Sequence, residues 1–138
     1  MRIEPWMRGI LLLAGFYNLG WGVFSYWFPD AFYQWVTMSQ QSAPPVITWQ
    51  GLGVLLFGGV YILVAFYPVR LWFLLAAGIV SKSVGGLWFY WVVMEQAINR
   101  KYLFHLMMND LVWLFPFTFI LWRILSLRKT QKKYETIP

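Results

Sequence analysis

Lys82 stands near the centre of a long apolar run, Leu71 to Met94, and Asp110 stands in another, among Leu103, Phe104, Leu106, Met107, Leu111 and Val112. An ammonium and a carboxylate can pair with each other, move a proton, or bind the polar group of a ligand. Inside a bilayer each costs roughly 2.5–3.5 kcal/mol on insertion scales, so each is expected to face protein or a wet cavity. Their backbones would differ in depth by only a few residues' rise, a gap that a lysine stem can cover. A Lys82–Asp110 pair is therefore geometrically open if the third and fourth spans are neighbours. Asn18 near mid-depth, and Gln50, His105 and Asn109 on the outer half, complete the polar set. Asn109 is adjacent to Asp110, so on a regular helix it points about 100° away. The ligand-binding candidates are Asn18, Gln50, Lys82, His105, Asn109 and Asp110, with Asp110 and Lys82 also the catalytic candidates. Against these roles stand a purely structural pair that fixes register, a contact with another subunit, and, for His105, an interfacial position near the start of its span.

The elements that must position these groups are four apolar spans, about 9–28, 46–66, 71–94 and 103–125, each near the roughly 20 residues needed to cross a bilayer. The expected fold class is all-α: a polytopic membrane protein, a four-helix bundle forming one domain over 1–138, with 126–138 as a basic cytoplasmic tail. Arg2 and Arg8 could pass for the n-region of a signal peptide, but no small-residue cleavage site follows, so the first span reads as retained. On it Gly15, Asn18, Gly22 and Ser25 make a stripe of small and polar groups that should face other helices. Pro29 and Asp30 end it, and the segment through Gln41 is too polar to span, which predicts a short interfacial helix and a turn at Ser42 to Pro45. The second span carries Gly51, Gly58 and Gly59 near one face and Gln50, Val54, Phe57 and Tyr61 along a neighbouring one. Tyr67 to Arg70 is a tight connection into the third span, where Gly78, Lys82 and Gly86 are four residues apart, so the lysine should point into the bundle. Pro116 inside the fourth span predicts a kink near Val112.

At 60% hydrophobic, 12% charged and 22% aromatic, the composition is that of a membrane protein, with Trp and Tyr as interface anchors. The segment Trp88, Phe89, Tyr90 and Trp91 reads as packing and anchorage rather than a cofactor box. Without cysteine, disulfides, thiolate chemistry and iron–sulfur clusters are excluded, and a single histidine excludes bis-histidine haem within one chain. No metal or cofactor is expected, and no nucleic acid. The net charge of +6 arises largely from Arg128, Lys129, Lys132 and Lys133 beyond the last span, a pattern for anionic lipid. Arg2, Arg8, Arg70 and Arg123 fall on the same side as that tail, against Arg100 and Lys101 on the other. The positive-inside rule then puts both termini in the cytoplasm, with the loops around Asp30 and Glu95 outside, in an inner or plasma membrane. Gly22, Tyr26 and Trp27 share their spacing with Gly86, Tyr90 and Trp91, and Trp49 relates to Trp113 by the same offset. That spacing implies two helical hairpins in parallel orientation, not an inverted repeat.

Four short spans, cytoplasmic termini and the late run Asn109-Asp110-Leu111-Val112-Trp113, followed by Pro116-Phe117, resemble the small four-helix proteins of the DoxX-like group, and more distantly the EXPERA group. The resemblance is one of layout across most of the chain. It implies a four-helix membrane fold and a role among accessory subunits, ligand-binding proteins or sterol isomerases. The residues themselves give as first reading a non-enzymatic accessory subunit or a binder of a lipophilic small molecule, with the bilayer, other membrane subunits or further copies of itself as partners. The alternatives are a membrane enzyme on a lipid-like substrate, with Asp110 as acid or base, and a proton- or ion-coupled transporter switching on Lys82 and Asp110. The first span has Asn18 and no carboxylate, which counts against small multidrug transporters.

Overall fold

The computed structural model describes residues 3–92 and 98–135. Arg2, Met94 and the loop around Glu95 lie outside them. The described chain is all-helical: α1 (Pro5–Trp27), α2 (Pro29–Thr37), α3 (Pro45–Phe66), α4 (Trp72–Val92), α5 (Arg100–Leu106), a π-helical turn (Met107–Leu111) and α6 (Val112–Glu135). Four helices are long and apolar enough to cross a membrane: α1, α3, α4, and the continuous run through α5, the π turn and α6. The last extends well beyond the expected 103–125, so the basic segment to Glu135 is helical.

Proline sets the boundaries. Pro5, Pro29 and Pro45 each open a helix, where the missing N–H costs nothing. A residue before proline is driven out of the α region, and Phe28 (φ −127°, ψ 55°) and Tyr67 (φ −126°, ψ 53°) duly end α1 and α3 before Pro29 and Pro68.

Glycines set the spacing of α1 and α3, which pack antiparallel along most of their length. A methyl on Gly15 would meet Gly58 O at 2.9 Å, and one on Gly51 would meet Tyr26 N at 2.6 Å. Such approach is what small residues permit, since no side chain holds the two backbones apart. The remaining neighbours are α3 with α4, α4 with α6, and α6 with α1, so the four long helices form a ring.

The two ends of the ring differ. At one end Ile3, Met7, Leu11, Tyr61, Val64, Leu75, Phe117, Ile120 and Ile124 interlock into a dry core. Leu71, Trp72 and Leu127 pack against it, and Arg128 lies over the Trp72 ring at 4.9 Å, which gathers the N-terminal segment, the Arg70 turn and the basic tail at this end. At the other end α2 and α5 form a roof through Phe32, Tyr33, Val36 and Tyr102, with Ile47 and Phe89 beneath. Asn99 ties the roof together: its Oδ1 accepts from the Lys101 and Tyr102 N–H groups while its Nδ2 donates to Val36 O. Asp30 Oδ1 accepts from Ala43 N at 2.7 Å and so pins the turn into α3. The outward faces carry Phe16, Leu56, Val80 and Phe115, the last 84% exposed.

Candidate functional site

Between the dry core and the roof lies a cavity of about 240 Å³. All six polar residues singled out in the sequence line it: Asn18 from α1, Gln50 from α3, Lys82 from α4, His105 from α5, and Asn109 and Asp110 from the π turn.

Lys82 is 6% exposed, as its place between Gly78 and Gly86 requires. Its ammonium donates to Asn18 Oδ1 at 3.3 Å and to the backbone carbonyl of Asn109. Those two bonds, and no hydrogen bond to Asp110, are what the structure gives it, which changes the expected direct pair. Both residues line the same cavity. Asp110 reaches it beside Gly86, where an added methyl would sit 3.5 Å from Asp110 Oδ2 and overlap Leu106 Cδ1.

The expected divergence of Asn109 and Asp110 does not occur, because the chain is π-helical there. Bonding from i to i+5 widens the turn, so adjacent residues rotate by less than on a regular helix and both face the cavity. The distortion lies just upstream of Pro116, whose missing N–H leaves the ladder one bond short. Met108 O, in the same turn, accepts from Trp113 Nε1 at 2.8 Å.

His105 sits inside the roof, with its ring centroid 5.2 Å from those of Trp21 and Phe32 and 5.8 Å from that of Phe89. Asn109 Nδ2 lies 2.8 Å from His105 Nδ1. An amide nitrogen only donates, so Nδ1 is the acceptor in this pair.

Tyr61 was legible as part of the stripe Gln50, Val54, Phe57 and Tyr61 but not as a site residue. All four line the cavity. Tyr61 is fully buried, its ring 5.7 Å from the Lys82 ammonium, and neither its hydroxyl nor Gln50 Oε1 has a hydrogen-bond partner. Trp21, Ser25, Phe32, Ser81 and Trp88 complete the polar and aromatic lining. Their only sequence signal was position: Ser25 lay on the predicted inward stripe, and Trp88 lies six residues beyond Lys82.

The fold and site together define a helical bundle around a largely apolar cavity that carries a cluster of polar side chains and two unmet hydrogen-bonding groups. No protein-family model, curated protein or solved structure matches the chain.

Proposed function

We propose that the chain is a four-span membrane protein, with its basic end and both termini cytoplasmic, that binds the polar group of a lipophilic small molecule in this cavity. The observation that carries the reading is the pair of unmet groups, Tyr61 OH and Gln50 Oε1, buried in the lining of the same cavity as Lys82 and Asp110. Leaving a buried polar group unpaired costs about 1–3 kcal/mol, and a ligand hydroxyl, carbonyl or amide removes that cost. The layout-level resemblance to DoxX-like proteins favours the same class, since that group includes ligand-binding proteins. The dry core speaks for a binder over a transporter: below Tyr61 the ring is filled by apolar side chains, so in this conformation the cavity ends blind toward the basic end.

The test is native mass spectrometry of the protein extracted gently from its own membrane. A small molecule retained in stoichiometric amount, and lost in Lys82→Met and Asp110→Asn with the fold intact, is the expected result. Co-purifying foreign subunits with an empty cavity would instead establish an accessory role and reduce the polar cluster to architecture.

A further inference from the structure

Volume and charge narrow the ligand, and the walls show how it arrives. At about 240 Å³ the cavity is smaller than the roughly 300–1,000 Å³ that encloses a drug-sized molecule. It has room for a headgroup but not for a hydrocarbon chain as well, so the chain must leave through a gap. The roof is closed by α2 and α5, and the basic end by the dry core. The α1–α6 seam is filled by rings: Tyr17 meets Trp113 at 5.6 Å, and Trp21 meets His105 at 5.2 Å. The α3–α4 seam is different. It closes low down, where Tyr61 lies so tightly on Gly78 that an added methyl would sit 2.5 Å from the ring. Above that point Gly53 of α3 and Gly85 of α4 both line the cavity, and a methyl added to either would meet nothing within 4 Å.

The two halves of the chain differ at this seam. Asn18 and Lys82, hydrogen-bonded to each other, are 64 residues apart. The same offset relates Gly53 to Phe117, which is fully buried, and Gly85 to Trp21. Where α3 and α4 have two glycines, α6 and α1 have two large aromatics at the matching positions.

Resting on the binding role proposed above, we infer that the α3–α4 seam is a lateral portal, through which an uncharged, hydroxyl-bearing amphiphile of the bilayer inserts its headgroup while its chain stays in lipid between the two helices. The headgroup class follows from the lining. Lys82 and Asp110 bring one charge of each sign, so a phosphate would lie beside the Asp110 carboxyl as an excess charge in a medium of low dielectric. A hydroxyl both donates and accepts: one donates to Asp110 or to Gln50 Oε1 while accepting from Tyr61 OH, and a second hydroxyl, as on a glycerol headgroup, meets the other acceptor.

The full chain in phosphatidylcholine vesicles, photolysed with a monoacylglycerol whose acyl chain carries a diazirine near the ester, tests the portal. Adducts are expected on residues 53–57 of α3 and 81–88 of α4. They should fall at least tenfold in Gly53→Phe and in Gly85→Leu, with melting temperatures no lower than that of the parent, and the same chain on a phosphate headgroup should label at least tenfold less. Adducts spread over Phe16 and Phe115 would overturn the portal whatever the variants do, since that map is read on the unmodified chain. Unchanged labelling in folded glycine variants would also overturn it. If labelling then still falls in Lys82→Met, the cavity keeps its binding role and only the route is lost. If labelling is insensitive to Lys82→Met as well, both readings fail. Equal labelling by the phosphate probe would overturn the uncharged headgroup.

Discussion

Tyr61 separates architecture from function more cleanly than either charge does. Its hydroxyl is buried without a partner, so Tyr61→Phe removes no bond from the folded protein and relieves an unmet group. Stability is expected to stay within about 0.5 kcal/mol of the parent or to rise, while retention of the cavity ligand falls, as checked by thermal unfolding in detergent beside native mass spectrometry. A loss of stability above about 1 kcal/mol would show that the hydroxyl has a structural partner. Lys82 behaves in the opposite way. Lys82→Met takes the donor from both the Asn109 carbonyl and Asn18 Oδ1. A loss of roughly 1–3 kcal/mol is expected, exceeding that of Asn18→Leu, which removes only the 3.3 Å bond. The inward aim of Lys82 was legible because four-residue spacing from Gly78 and Gly86 fixes one helix face. Its partner was not legible: a backbone carbonyl leaves no mark in a sequence, so Asp110, the nearest opposite charge, stood in its place.

At the scale of elements, the glycine pattern predicted close packing and the structure distinguishes among the glycines. Gly51 and Gly58 lie against the α1 backbone, but Gly59, next in the chain, has nothing within 4 Å of an added methyl. Adjacent helical positions differ by about 100°, so only one of Gly58 and Gly59 can enter the same interface. Gly51→Ala drives a methyl to 2.6 Å from Tyr26 N, where backbone must move, and about 1–3 kcal/mol of destabilisation is expected. Gly59→Ala gains helix propensity without a clash, worth up to about 1 kcal/mol in the other direction. Thermal melts of the two variants should therefore shift with opposite sign. The π turn was the element the sequence hid. Pro116 signalled a distortion near Val112, but nothing in Met107 to Leu111 says that the strain is absorbed there as an added residue per turn. That irregularity narrows the angle between Asn109 and Asp110, and both line the cavity.

Across the whole molecule, the sequence-level hint of two parallel hairpins corresponds to the way the ring closes. Displaced by 64 residues, α1 falls on α4 and α3 on α6, and Asn18 meets Lys82, its own counterpart, in the interior. A hairpin repeated in parallel returns the chain to its starting side twice. It therefore puts the N-terminal segment, the Arg70 turn and the basic tail together, as the packing of Ile3 and Met7 near Trp72 and Leu127 shows. The positive-inside rule then acts on one end as a unit, since Arg8, Arg70, Arg123, Arg128, Lys129, Lys132 and Lys133 oppose only Arg100 and Lys101 among the described residues. Because the chain has no cysteine, each end can be addressed by a single introduced thiol. Ser42→Cys, exposed beside the roof, should react with a membrane-impermeant maleimide added to intact cells or to spheroplasts. Thr130→Cys, exposed on the basic tail, should react only after the membrane is opened. The reverse pattern would put the basic end outside and remove the assignment of the cavity to the outer half. Reaction of both from outside would mean that the ring does not span the bilayer, and the lateral route between α3 and α4 would then have no lipid to open into.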